Sequence, residues 1–333
     1  MDGLRAVAVL IVLFAHAGAP FPKSGGVGVD IFFVISGFLI TGILAREMHL
    51  TGQISFRRFY IRRALRLGPC LVLTCAFVAA IFWLSDEPVP TRQIGFAMTY
   101  TANWAMAVGG VDLGLLGHCW SLSIEEQYYL FWPVVILLLE RRVSSPLVKS
   151  LLLVCCALLA ALYRCSFVHK FGVERIYYGL DTHVDGLIIG SALFYMAEAA
   201  RQRPANVQMQ RILAFGLVPI SAGGLMLTMI FLAWWNPWMG RLGFTFVAVA
   251  AAVLVADLTL NQRSLIKRPL ACAPLVWTGR VSYGLYLYHY PVFKLVEKIV
   301  PTAWPGPAVP ILEFGFTFVI AGISYHFIEV RFL

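Results

Sequence analysis

In the stretch GLRAVAVLIVLFAHAG, residues 3 to 18, Arg5 and His16 lie eleven positions apart in a run that is otherwise apolar. A histidine so deep in an apolar helix must face a packed interior or a wet cavity, because hydrocarbon does not solvate an imidazole. It serves there either as a helix–helix hydrogen bond or as a base that takes a proton from a hydroxyl. Arg5, near the end of the run, either snorkels to the membrane edge or turns inward. A second group is SFRRFYIRRALRLGP, where Arg58, Arg62 and Arg66 recur at every fourth position on one helical face, with Arg63 beside them. Such a face rests on anionic lipid or cradles phosphates, which a guanidinium fork matches in shape. The third is GHCWSLSIEEQYYLFWP, in which Glu125 and Glu126 follow Ser121 and Ser123 at the start of a helix. The two acids either complement the helix dipole or set a carboxylate beside an imidazole, orienting it and raising its basicity. Ser36, Ser121 and Ser123 are candidate nucleophiles, as is His16 itself.

Membrane helices must position these groups. With 60% hydrophobic residues and only 13% charged, and a mean hydropathy of +0.79, the chain lies far from a soluble domain. The apolar runs predict an all-α integral membrane protein with about ten transmembrane helices, roughly at 4–18, 27–45, 69–84, 120–139, 150–164, 175–197, 211–233, 241–258, 271–295 and 308–328. Residues 85–119 are too short and Gly-interrupted for a span and read as an outer or re-entrant segment. The first run lacks a basic leader and a small-residue cleavage site, so it is a retained helix. No linker divides the chain, and residues 1–333 read as one domain.

Basic residues concentrate in alternate connections. Arg46, Arg57, Arg58, Arg62, Arg63, Arg66, Arg141, Arg142, Lys149, Arg201, Arg203, Arg211, Arg263, Lys267 and Arg268 fall in or beside 46–68, 140–149, 201–211 and 259–269, while the other connections hold mainly Lys23, Arg92, Lys170 and Lys298. The positive-inside rule then places both termini in the cytoplasm. The net charge of +9 follows from this bias and argues for the inner leaflet's lipid, not for nucleic acid. At about 1.5 Å per residue, Arg5 and His16 are roughly 16 Å apart, half a hydrocarbon core. A helix descending from the outer side through Glu125 can therefore meet His16 at equal depth. Seven cysteines without metal spacing read as small core hydrophobes with no disulfide. Gly25, Gly26, Gly28 and Gly37 permit close helix packing, and Asp30 caps the second helix or faces a cavity. Tyr283, Tyr286 and Tyr290 with His289, like Trp234, Trp235 and Trp238, read as an aromatic belt at the outer interface.

Seven segments in order, DGLRAVAVLIVLFAH, GGVGVDIFFVISGFLITG, FYIRRALRLGP, HCWSLSIEEQYYLFWP, LDTHVDGLIIGSAL, GRVSYGLYLYHYPV and YHFIE, give the chain a resemblance to the acyltransferase family 3 membrane proteins over essentially its whole length. Many of these are O-acetyltransferases of cell-envelope sugars. The family's arginine–x10–histidine pair matches Arg5 and His16, its R-R-x-x-R motif Arg62, Arg63 and Arg66, and its Trp-x-Leu-x-x-acidic motif Trp120 and Glu125, with Glu126 adjacent. The resemblance implies acyl-coenzyme A, in the simplest case acetyl-coenzyme A, as co-substrate, with its phosphates on Arg62, Arg63 and Arg66 and with Arg58 close by. It implies a carbohydrate hydroxyl as acceptor and His16, oriented by Glu125, as general base, through direct transfer or an acyl-histidine. Asp30, Ser36, Trp120, Asp181, His183 and Asp185 are acceptor-side candidates. No metal or tightly bound cofactor is expected; membrane lipid and glycan-assembly proteins are the expected partners, and a bacterial inner membrane the expected location. The chain departs from the family at His183, where an arginine is common, and at its IEVRFL end. No fused extracytoplasmic hydrolase-like domain is expected, and a second transfer step would then need a partner. Two other functions suit the same helical core: a transporter or flippase for a lipid-linked glycan, and an acyltransferase of a small molecule such as a macrolide.

Overall fold

The computed structural model describes residues 1–202, 206–301 and 308–332; Arg203 lies outside them. The described residues form helices and turns without a strand. In order these are α1 (Asp2–His16), α2 (Gly26–Thr51), α3 (Phe56–Leu84), α4 (Thr91–Met98), α5 (Ala102–Ala107), α6 (Cys119–Arg142), α7 (Pro146–Tyr178), α8 (Leu180–His183), α9 (Asp185–Arg201), α10 (Val207–Ile212), α11 (Val218–Phe231), α12 (Phe244–Leu260), α13 (Lys267–Leu270), α14 (Ala273–Arg280), α15 (Ser282–Ile299) and α16 (Ala308–Phe327).

Seven of these helical stretches are long and apolar enough to cross a membrane: α2, α3, α6, α7, Val207–Phe231, Met239–Leu260 and the stretch containing α16. That is fewer than the ten expected, because α1 and α9 have only 15 and 17 residues and α15, at 18, carries Lys294, Glu297 and Lys298 among many polar side chains. Leu158, Leu159 and Leu162 of α7 point out of the bundle, as a lipid-facing surface would have them.

Several boundaries differ from those the apolar runs suggest. The third helix begins at Phe56, not 69, since RRALRL is made of strong helix formers and the helix runs on through Pro69 at the loss of one backbone bond. The arginine cluster therefore belongs to a spanning helix. The run expected at 150–164 is part of the 33-residue α7, which bends at Gly172, where φ is 79°. The run expected at 175–197 is broken at Gly179, whose backbone is extended. The run at 271–295 is α14 and α15, parted at Val281. Residues 85–119 contain only short helices, laid against α3 and α6. All seven cysteines are free, but Cys155, Cys156 and Cys272 are exposed rather than in the core.

Helix α2 is the hub, buried along most of its length against α1, α6, α9 and α12. Two glycines set its crossing with α9. A Cβ on Gly37 would lie 1.9 Å from the Leu187 carbonyl oxygen, and one on Gly190 would lie 2.1 Å from that of Val34. Without side chains the two backbones touch, as small residues allow in membrane bundles. Gly37→Ala should therefore separate α2 from α9, lowering stability by about 1–3 kcal/mol or more. In contrast, Gly223→Ala, in open space on α11, should be neutral or stabilise by about 0.5–1 kcal/mol. Thermal unfolding of both variants in detergent checks the contrast.

Candidate functional site

A cleft holding about 1040 Å³ of open space lies between α1, α2, α3, α6 and α15. Its polar lining is Arg5, Ser36, Arg63, Arg66, Ser121, Glu125, Ser282, Tyr283 and Tyr286, set among Phe32, Phe33, Leu39, Ile40 and other apolar side chains. Arg63 is tied down: its Nη2 donates to Glu126 Oε1 at 2.9 Å, and its guanidinium lies 3.6 Å from the centre of the Tyr129 ring. Arg66 makes no ion pair among the described residues. Arg5 has only a 4.0 Å contact with Asp2. Ser36 donates to Glu125 Oε1 at 2.7 Å and lines the same cleft as the cationic groups.

Arg58 and Arg62 are exposed and do not line the cleft. The reason is rotational. Each four-residue step turns a side chain by about 40° around the helix, so Arg66 stands about 80° from Arg58. The inward side of α3 is fixed by buried Phe59, Leu67, Cys70 and Thr74, and that register brings in Arg63 and Arg66 alone.

Helices α1 and α15 lead away from the cleft to a second cluster. His16 Nδ1 lies 3.0 Å from the Val12 carbonyl oxygen and 3.2 Å from His289 Nε2. His289 Nδ1 lies 2.6 Å from the Tyr286 carbonyl oxygen. His118 donates from Nε2 to the Leu287 carbonyl at 3.0 Å, and its buried Nδ1 has no partner among the described residues. The rings of His16 and His289 are 5.0 Å apart, and those of His118 and His289 5.3 Å. Tyr290 stands 5.3 Å from His16. Tyr286 belongs to both places: its ring lines the cleft, its hydroxyl donates to the His118 carbonyl at 3.0 Å, and it receives Ser121 at 2.5 Å.

His16 and Glu125 are thus not paired. The carboxylate is held by Ser36 in the cleft, and the imidazole is held by Val12 and His289. Equal depth along two helices does not decide which way their side chains turn, and α15 occupies the place expected for α6. Nor do Tyr283, Tyr286 and His289 form an interfacial belt. Tyr283 donates to the Leu67 carbonyl at 2.8 Å, and all three point inward. The sequence does not single out His118 and gives His289 only as part of a belt, although each is a histidine in apolar surroundings, the feature that marks His16.

The acceptor-side candidates form a closed network instead of a surface. His183 bridges Asp30 Oδ1 at 2.8 Å and the Tyr177 carbonyl at 2.7 Å. Arg164 grips Asp185 with two bonds of 2.8 and 3.0 Å, and Thr245 donates to the same carboxylate at 2.6 Å. Trp120 stacks on His183, 5.8 Å between centroids. Asp30, His183, Asp185 and Arg164 are all at most 1% exposed, and they join α2, α7, α9 and α12. Asp181 stands apart, paired with Arg175 at 2.8 Å. Asp185→Asn should leave Arg164 buried without its counter-ion and destabilise by about 3–5 kcal/mol. The doubly apolar pair Arg164→Met with Asp185→Leu should recover most of that loss in the same unfolding assay.

Comparison with known proteins adds an independent finding. The family described as an acyltransferase domain matches residues 1–326. The chain is 33% identical to the peptidoglycan O-acetyltransferase OatA of Listeria monocytogenes serovar 1/2a over 99% of its own length and 54% of that protein's. It is 32% identical to the O-acetyltransferase OatA of Staphylococcus aureus strain NCTC 8325, over 99% and 56% of the two lengths. The chain therefore spans about half the length of these relatives. No solved structure matches it.

Proposed function

The chain belongs to acyltransferase family 3, and from that premise we propose that it is a membrane O-acetyltransferase. It moves an acyl group, acetyl in the simplest case, from acyl-coenzyme A to a hydroxyl of a cell-envelope carbohydrate. The observation that carries this reading is the cleft that gathers Arg5, Arg63 and Arg66 and is joined by α1 and α15 to His16.

In this reading α1, α9 and α15 join the seven long stretches to make ten crossings, with both termini cytoplasmic in a bacterial inner membrane. The cleft opens to the cytoplasm, where Arg57, Arg58 and Arg62 rest on the lipid surface of the same helix. Coenzyme A phosphates meet Arg66 and Arg5, the two guanidinium groups without a close internal partner, while Arg63, braced by Glu126 and Tyr129, shapes the wall. The pantetheine arm runs along α1 and α15 past Tyr286, carrying the thioester toward His16. Acceptor hydroxyl and thioester then react in one step. The hydroxyl proton passes to His16 Nε2, the oxygen bonds the carbonyl carbon, the C–S bond breaks, and the proton passes on to the departing thiolate.

Two sets of variants test the reading. If Arg66 holds phosphate, Arg66→Ala loses a charge-assisted contact present in ground and transition states alike, so the donor KM rises by roughly 10- to 150-fold with kcat little changed. Arg58→Ala and Arg62→Ala leave the donor KM where it was. His16→Ala keeps donor binding but loses turnover by about 10²–10⁴-fold. Unchanged donor affinity in Arg66→Ala, or full turnover in His16→Ala, contradicts the corresponding part. The measurements are coenzyme A calorimetry on detergent-purified protein, and mass spectrometry of cell-envelope glycans from cells with and without it for the acceptor.

A further inference from the structure

His289 is completely buried on α15, one turn beyond the cleft, and its bonds determine where its proton sits. Its Nδ1 lies 2.6 Å from the Tyr286 carbonyl oxygen. A carbonyl only accepts, so Nδ1 carries the hydrogen, and Nε2 of the neutral ring is a bare acceptor. That acceptor faces His16 Nδ1 at 3.2 Å. His16 Nδ1 also lies 3.0 Å from the Val12 carbonyl, so by the same reasoning it too carries its hydrogen, shared between the two acceptors. His16 is left with its lone pair on Nε2, which has no hydrogen-bond partner among the described residues.

We propose that His289 is the positioning residue for His16, accepting its Nδ1–H and stabilising the charge His16 gains on taking a proton; this rests on His16 being the base of the reading above. In histidine-based sites the group behind the base is commonly a carboxylate. Here a carboxylate would bury an anion among Phe293, His118 and Tyr290, where a neutral imidazole supplies the lone pair without that cost. During transfer the acceptor hydroxyl gives its proton to His16 Nε2, and the thiolate leaving with the broken C–S bond takes it back. His289 accepts the Nδ1–H throughout and ends with the hydrogen it started with. Its link to the cleft is the Tyr286 carbonyl, which fixes the imidazole plane from the residue whose ring lines the donor space.

A packing role and a positioning role predict opposite orders for two substitutions. His289→Phe preserves the ring and its apolar contacts but has no lone pair to offer; His289→Gln loses the ring but keeps a carbonyl acceptor. If His289 positions His16, His289→Phe lowers kcat by about 10- to 100-fold with the donor KM within about twofold of wild type, and His289→Gln retains more turnover than His289→Phe. Added imidazole restores turnover in part to His289→Ala but not to His289→Phe, whose ring fills the space. Acetyl transfer and coenzyme A binding are measured on the same detergent-purified preparations. Wild-type kcat in His289→Phe overturns the proposal, and so does a His289→Phe protein better than His289→Gln. Joint loss of turnover and coenzyme A binding in His289→Phe marks a packing defect and overturns it as well. If His16→Ala retains full turnover, the base assignment itself has failed; if His16→Ala is inactive while His289→Phe turns over normally, only the role of His289 has failed.

Discussion

A charged or polar side chain inside an apolar bundle must be met by a partner from another helix, because no water is present to replace one. Much of this architecture follows from that demand. Arg164, Asp185 and Thr245 tie α7, α9 and α12 at one level, and Asp30 with His183 adds α2 to the same knot. At the other end Glu140 accepts from Lys149, Tyr195 and His49, joining α6, α7, α9 and α2. Between them a chain of neutral groups, Trp132 to Thr41 to Ser191, links α6, α2 and α9. These ties lie on one side of α2. They fix the rotation of each helix about its axis, which hydrophobic contact alone leaves loosely specified.

On the side of α2 that faces α1, α3 and α15 the pairing is incomplete, and there the cleft opens. Among the described residues the buried Nε of Arg63 has no partner, and Arg66, which is exposed, has no counter-ion. The buried Nδ1 of His118 and one oxygen of Glu329 are likewise unmet. Polar groups left without partners in a low-dielectric interior cost stability; among the described residues Asp30 Oδ2, Glu47 Oε2 and Glu313 Oε2 are unmet elsewhere too, but Arg63 stands beside open space that a ligand could fill.

The sequence makes the class of the protein, the course of most helices and the chemistry-bearing residues legible, because each rests on local composition: apolar runs, basic connections, and polar side chains where lipid forbids them. Partnerships are harder. His16 and Glu125 are at compatible depths by helix rise alone, yet which neighbour His16 meets depends on the relative rotation of α1, α6 and α15. The same applies on α3, where a face of every fourth residue joins Arg58, Arg62 and Arg66, but burial of Phe59 and Leu67 selects Arg63 and Arg66. The acidic and histidine residues around 181–185 look like a ligand-binding stretch in a linear reading. Three-dimensional packing spends three of the four, Asp30 included, on holding helices together and leaves Asp181 to pair with Arg175.

Separation of the guanidinium groups from the histidines is itself a consequence of helix geometry. Arg5 and His16 share one helix, so their backbone positions stand about 16 Å apart along its axis, and whatever reacts at both ends must span that distance less the reach of the two side chains. Tyr283 and Tyr286 of α15 line the cleft, and the Tyr286 carbonyl holds His289 Nδ1 one turn further on. A compact substrate held at the Arg5 end would fall short of His16. A long flexible one, charged at one end and reactive at the other, would lie along both helices with its apolar middle against Phe32 and Tyr286. On the proposed reading the fold selects its donor by length as well as by charge, and it does so with two helices whose other faces are committed to holding the bundle together.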